Sequence, residues 1–532
     1  MTTIPNPVET SESTVGPQGR SARWLNRIDD WSERFGDAVN PILVKETRQA
    51  LKSRQFLFTF STLLLAALGW TVIGCLSMMP QIYHQPSAPT MLIGYYFVLA
   101  VPLLLIVPLA AYRSLEVEID DGTLELLSIT SLSAWQIVLG KLASASLQMM
   151  LYFVALLPCV AFAYTLRGVD LPTTLLIIGI LAVSAMLLTI VGLFLAPLAR
   201  GRTGRISTML VAIAAFMIAE WSIGYVVIEM ISQGYSLETE TLIYAVVATA
   251  LLGIGIGHLL LTATAAQLTP ESDNRSTPLR LSLLMLGTIV VGLIAYAIQM
   301  SDENVAVFSL MAFTTVFAGL WVIASSMLVA ESSVMTPRML RELPSSFLAR
   351  NLLTAITPGP NSGLIFATVV AIAGSVLFLY GLEVLIDNHP RLGGARVRPF
   401  FQRFVMLYVG YLVSFLVCVR VIVAGVRLKA NPRADVGIAV MIVVLLVSAL
   451  LPLAIGLQLN DFREFGYSPW QITNWAWTMM EAERGLKNKE EYWVVAAAAG
   501  LFGICLATMS DTVLPRKIAT PLRVKEEKAK GK

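Results

Sequence analysis

Charge is scarce in this chain: Asp, Glu, Lys and Arg make up 14% of its 532 residues, while 56% are hydrophobic. So little polar cover excludes a water-soluble globule of this size, and lipid has to cover much of the surface. Histidine is scarcer still. His84, His258 and His389 are scattered, with no Cys beside them, which excludes a histidine-based metal centre; no metal ligand set is expected. The four cysteines, Cys75, Cys159, Cys418 and Cys505, form no CxxC pair and read as small buried hydrophobic residues. A phosphate-binding GxxxxGK[ST] is missing too. The nearest glycine-rich run, ARGRTGR over 199–205, lacks the lysine and hydroxyl that hold a nucleotide's phosphates and metal. An apolar h-region is missing from Met1 to Gly19, so the first hydrophobic segment is expected to be an uncleaved anchor and residues 1–22 a disordered tail.

What the chain has in quantity is apolar runs of bilayer length. They lie at 56–79, 91–112, 142–166, 173–199, 206–232, 241–266, 281–300, 305–330, 363–386, 404–426, 436–459 and 492–510. Hydrocarbon offers no partner for backbone N–H and C=O groups, so each run is expected to be a helix. The fold class is therefore an all-α polytopic membrane protein of twelve transmembrane helices. When the connecting segments are assigned to alternate sides, 29 of the 38 Lys and Arg residues fall on the side of the two termini. The positive-inside rule then places both termini in the cytoplasm of a bacterial-type plasma membrane, and these basic residues mark topology rather than a nucleic-acid surface.

Two amphipathic helices precede the first span. Trp24, Ile28, Trp31, Phe35 and Val39 recur at helical spacing, which predicts an interfacial helix within 23–55. Asn40 and Pro41 then supply an N-cap and a first-turn proline for a second helix. It carries Lys45, Glu46, Arg48, Lys52 and Arg54 against Leu43, Thr47, Ala50 and Leu51, and is expected to bend into the first span near Gln55.

The segment between spans two and three, Arg113 to Lys141, reads as short helix, tight turn and new helix. Asp121 and Gly122 break the chain, Thr123 caps a turn through Leu124, Leu126 and Leu127, and Ser133 with Gln136 forms a capping box flanked by a Leu132/Ile137 staple. Domain organisation follows: a first six-span half over 56–268, a junction at 269–280, a second half over 281–510 and a basic tail at 511–532. The loop Glu331 to Ser362 occupies the ordinal place of 113–141. That is compatible with a divergent duplication, although the halves share no convincing residue match.

NPILVKETRQALKSRQF before the first span, followed by E-x-E-x-x-D-GTLELL-x-x-T-x-LS-x-x-x-IVLGK after the second, resembles the permease subunits of type-2 ABC (ATP-binding-cassette) exporters. The match covers residues 40 to about 165, and the six-span spacing extends it to about 266. The resemblance implies a connecting helix carrying Asn40, Pro41, Lys45, Glu46 and Arg48, and a coupling role for Glu116, Gly122, Thr123, Leu124, Glu125 and Leu126. It also implies an ABC ATPase subunit as partner, with ATP and Mg bound there and no cofactor on this chain. A second permease copy is a compatible further partner. A short helix braced between two spans can transmit a rigid-body push, which a flexible loop would absorb.

Ionisable residues inside spans are the remaining candidates. Glu220 lies near the middle of span five; it is either a structural carboxyl or part of a transport pathway. Arg420 is expected to snorkel to the inner surface and Glu383 to sit at the outer interface. His258, within GIGIGHLLL, reads as a packing or hydrogen-bonding residue, and Gly253, Gly255 and Gly257 as close-packing positions. The outer segment Ser468 to Gly485, with Trp470, Trp475 and Trp477, is either an interfacial helix or a re-entrant gate of the kind these permeases have before their last span. The function expected is the membrane-spanning, non-enzymatic subunit of an ATP-driven exporter. An ion- or proton-coupled secondary transporter is the alternative. A membrane-embedded enzyme ranks below both, because no outer loop clusters an acid pair or a nucleophile with a base, and no catalytic residue is expected.

Overall fold

The computed structural model describes residues 41–509 apart from 81, 83, 123–132, 199–200, 233–237, 271–272, 300–301, 333–355, 393, 430–433, 462, 464–465 and 487–488. The described residues form 14 helices and no strand. A short first helix, α1 (Pro41–Leu51), leads into α2 (Arg54–Ser77), α3 (Ala88–Asp120), α4 (Ala134–Thr165), α5 (Leu171–Leu195), α6 (Gly201–Ser232) and α7 (Thr239–Leu268). The second half consists of α8 (Ser276–Gln299), α9 (Glu303–Val329), α10 (Pro360–Asn388), α11 (Gly394–Val426), α12 (Val436–Leu459), the short α13 (Trp475–Glu481) and α14 (Glu490–Thr508). All twelve expected spans are helices long and apolar enough to cross a bilayer, and the chain is an all-α polytopic membrane protein. The end of the bundle bearing α1 is its proximal face and the other its distal face.

Helix ends follow from local chemistry. The chain breaks at Lys52 and Ser53, two residues before the expected bend: the Ser53 hydroxyl donates to Ala50 O at 2.7 Å and accepts from Phe56 N at 3.1 Å, capping α2. In α3 a π-helical stretch, Val101–Ile106, accommodates Pro102 and Pro108, which have no N–H to give to the ladder. The expected capping box is present at α4, where Gln136 N donates to Ser133 Oγ at 3.3 Å and Ser133 N donates to Gln136 Oε1 at 2.9 Å.

Two expected boundaries are corrected. The segment Arg113–Lys141 is mostly helix, since α3 runs on to Asp120 and α4 begins at Ala134. The polar residues after 112 continue a helix that projects beyond the hydrocarbon, and what ends it is Gly122, whose φ of +66° is a left-handed conformation suited to glycine. The junction expected at 269–280 is shorter, because α8 starts at Ser276 and takes Arg280 into the bundle with none of its surface exposed. The helix expected from Trp24 to Val39, the turn Thr123 to Leu127, Leu132 and most of the loop Glu331 to Ser362 lie outside the described residues.

Each half has its own apolar core. In the first, Met91, Tyr95, Leu99 and Leu103 of α3 pack on Met149 and Tyr152 of α4, and α3 is the most buried of the twelve spans. In the second, α11 takes the central place, with Leu412, Leu416, Val419 and Val423 against α9, α10 and α14. The halves meet along α7 and α8, where Tyr244 and Ala248 pack on Leu293 and Ala297. Gly255 faces this seam, where an added Cβ would lie 3.0 Å from the terminal methyls of Leu286 and Ile289. Outward-facing Phe58, Trp221, Val316 and Tyr380 supply lipid-contacting surface.

Candidate coupling site

The N-terminal helix docks on the bundle through a buried charge. Lys141 lies two turns into α4, and its side chain is 2% exposed. An ammonium so placed has three donors to satisfy. It donates to Ser114 Oγ at 2.8 Å and to Glu46 Oε1 at 3.3 Å, and forms an ion pair with Glu118 at 2.9 Å. The Ser114 hydroxyl passes the contact on, donating to Glu46 Oε2 at 3.2 Å. Three elements are thereby pinned at one point: α1 through Glu46, the projecting end of α3 through Ser114 and Glu118, and the start of α4 through Lys141. Lys45 rims the cluster at 3.5 Å from Glu118, but at 63% exposure it contributes little.

This geometry sorts the residues expected to matter. Glu46 faces inward with Leu43, Thr47 and Ala50, while Lys45 and Arg48 stay exposed. Pro41 opens α1, and Asn40 lies outside the described residues. Glu116 is half buried on α3, and Gly122 ends that helix on its proximal side. One turn past Glu116, Asp120 pairs with Arg205 at the start of α6, adding the fifth span to the junction. Thr123, Leu124, Glu125 and Leu126 lie outside the described residues. The arrangement can carry displacement: a force on Gly122 or Ser133 acts on two helices, α3 and α4, that are cross-linked to each other and to α1.

Lys141 was missed by the sequence reading, which took it as a loop residue marking topology. A signal existed, since it is the single lysine between Lys52 and Lys429 and sits among apolar neighbours. Arg420 is a correction. Far from snorkelling, it is 2% exposed and its Nε donates to Asn361 Oδ1 at 3.3 Å, because α11 is surrounded by protein at that level rather than by lipid. Glu383 is at the distal end of α10, paired with Arg398 at 2.7 Å. His258 Nδ1 hydrogen-bonds Ser282 at 3.0 Å across the two halves, as a packing residue should, and Gly253 and Gly257 face α5 side chains at close range. Among the described residues no Cys, His, Asp and Glu cluster could hold a metal, and all four cysteines are free.

Glu220 is half buried on α6, well removed from the proximal cluster. One turn further along, a Cβ at Gly224 would lie 3.3 Å from Tyr96 Oη, and that buried hydroxyl has no hydrogen-bond partner among the described residues. Glu220 and Tyr96 are close enough to interact electrostatically.

At the distal face, Ser468–Gly485 turns back into the second half. Trp475 Nε1 donates to Leu445 O at 3.0 Å, and Leu445 lies 14 residues before the distal end of α12 at Leu459, about 21 Å along the axis. Gln471, Asn474 and Thr478 are buried, and Tyr411 of α11 donates to Ile472 O. Of the two expectations for this segment, the re-entrant one fits. Beneath it the last span opens with buried Glu490 and Glu491. Burial pushes the Tyr467 phenol up; its hydrogen bond with Thr478 opposes this, and the nearby Glu490 and Glu481 carboxylates add to it.

No family model, curated protein or solved structure matches the chain. The twelve apolar helices make it a multi-pass membrane protein of transporter-like architecture.

Proposed function

We propose that the chain is the permease subunit of an ATP-driven exporter of the type-2 ABC kind, with both termini in the cytoplasm and ATP hydrolysed by a partner subunit that docks on the proximal face. The observation that carries this reading is the buried junction at Lys141. A secondary transporter has no need to cross-link an N-terminal amphipathic helix to both flanks of one loop, whereas a permease driven from outside the membrane needs a stiff path from loop to spans. The motif resemblance and the absence of a phosphate-binding loop support the same division of labour.

The test is to purify the tagged chain in mild detergent and identify what accompanies it. Replacing Leu124 and Leu126 with Asp should remove apolar side chains that an ATPase interface would bury. Loss of a buried anchor costs about 2 kcal/mol, roughly thirtyfold in affinity. Membrane insertion should be unchanged, since the two leucines fall outside the apolar spans. A wild-type chain that carries no ATPase and transports on an ion gradient alone would falsify the proposal.

A second reading is favoured by one observation. Glu220, near the unpartnered hydroxyl of Tyr96, is the kind of intramembrane carboxylate that proton- or ion-coupled transporters use. Indifference of transport to ATP, together with dependence on Glu220, would establish that reading in place of the first.

A further inference from the structure

A triple junction like that at Lys141 recurs in the second half. Arg280, one turn into α8 and fully buried, donates to the Glu331 carboxylate at 2.7 Å and to the carbonyls of Thr357 and Gly359 at 2.7 and 3.3 Å. Glu331, two residues past the end of α9, also accepts from Gly359 N at 2.8 Å and from the Ser276 hydroxyl. The guanidinium lies over the Phe366 ring of α10, 5.6 Å from its centroid. The start of the half's first span, the end of its second and the start of its third are thus pinned at one buried cation.

The first half joins α1, which precedes its first span, to the end of α3 and the start of α4. In both, a carboxylate at the end of the second span, Glu118 or Glu331, faces the buried cation, and the first half adds Glu46 of α1. The cation differs in origin, coming from the third span as Lys141 and from the first as Arg280. A pair of halves without residue identity can keep a junction in this way while exchanging which helix supplies the charge.

Helix packing repeats as well. In the first half, the first span packs on the second and third, the second on the third, fourth and fifth, the third on the fourth and sixth, and the fourth on the fifth and sixth. All of these pairings but the third with the sixth recur in the second half. Neighbourhood in sequence does not account for it. Spans five and six follow one another in the chain yet do not pack extensively in either half, whereas the distant pairs one–three, two–four, two–five and four–six do so in both.

We infer that the second half is a structural copy of the first, and that Arg280 and Glu331 form a second clamp through which the motor's push enters the second half. This rests on the exporter reading above. Arg280 and Glu331 are positioning residues: they hold the ends of the segment between α9 and α10, as Lys141 and Glu118 hold the ends of the segment between α3 and α4.

The experiment uses the full chain with its co-purified ATPase in vesicles of phosphatidylethanolamine and phosphatidylglycerol, and follows ATP turnover, ATPase retention and thermal midpoint. Lys141→Gln and Arg280→Gln should each keep the ATPase bound and lower kcat about tenfold, with KM for ATP unchanged, the scale of a lost coupling between sites. Arg280→Lys, which keeps the buried cation, should restore most of the turnover. A merely structural role would move the midpoint and leave kcat per folded complex alone. If Arg280→Gln does not survive purification, Ser276→Ala replaces it and should lower kcat more modestly. Wild-type turnover in folded Arg280→Gln, or in folded Ser276→Ala where that variant stands in, overturns the second clamp even if Lys141→Gln is impaired. A wild-type chain that retains no ATPase overturns the exporter reading, and the force-transmitting role of Arg280 and Glu331 with it.

Discussion

Lys141 on α4 and Glu118 on α3 form an ion pair at 2.9 Å in a place where the lysine side chain is only 2% exposed. Breaking a buried pair costs about 3–5 kcal/mol, because the surviving charge is left without a partner. The two sides of this cluster are unequal. Lys141→Met leaves Glu46 and Glu118, which keep some contact with solvent at 11% and 16% exposure, so the lower end, about 3 kcal/mol, is expected. The double change Glu46→Gln and Glu118→Gln strands the ammonium itself and should cost more, toward about 5 kcal/mol. Thermal midpoints of the purified variants in one detergent give the ranking. The opposite order would mean that the two carboxylates repel each other more than the lysine needs them.

Gly363 and Gly374 make an internal control on one helix. A Cβ at Gly363 would meet Leu328 O at 2.3 Å, a backbone atom that cannot rotate away, whereas Gly374 has nothing within 4 Å. Gly363→Ala should force α9 and α10 apart at a cost of about 1–3 kcal/mol. Gly374→Ala should be neutral or stabilising by up to about 1 kcal/mol, since glycine is the poorer helix former. Equal midpoints for the two variants would refute the close approach of α9 and α10 at Leu328.

What was legible in the sequence is what lipid dictates locally. The spans could be read because hydrocarbon leaves a backbone no alternative, and the capping box at Ser133 and the stop at Gly122 because each depends on residues within one turn. The buried cations could not. Lys141 meets Glu46 across 95 positions, Arg280 meets Glu331 across 51 and Arg420 meets Asn361 across 59. Counting basic residues by loop treats all three as solvated, and only the packing of distant spans shows that they are enclosed. A duplication was legible only in the ordinal place of the loop Glu331 to Ser362, since the halves share most helix pairings and a buried junction but not the residues that make them.

Glu220 should behave unlike a structural carboxyl. No salt bridge holds it among the described residues, and a charge at a helix centre costs about 2.5–3.5 kcal/mol on insertion scales. Glu220→Gln is therefore expected to raise the thermal midpoint while impairing function, the usual exchange when a site is tuned against stability. The readouts are the melting curve and turnover across pH in the same preparation. A variant that melts earlier than wild type would return Glu220 to a structural role, as a hydrogen-bond partner that glutamine cannot replace.

The re-entrant segment and the topology can be tested together with single cysteines in a background lacking Cys75, Cys159, Cys418 and Cys505. Arg484, with its side chain 81% exposed, lies on the distal face, which the exporter reading puts outside the cell. Gln471 belongs to the same segment but has no exposed surface, enclosed where the segment packs on α12 and α14. In intact cells an impermeant maleimide should therefore label Arg484→Cys and leave Gln471→Cys untouched. Ser128→Cys, between α3 and α4, should label only after the membrane is permeabilised. An interfacial helix lying flat on the surface would expose both distal positions, so labelling of Gln471→Cys in intact cells would sink the re-entrant assignment. Labelling of Ser128→Cys in intact cells would reverse the topology, placing the Lys141 junction on the side of the membrane where no ATP is available.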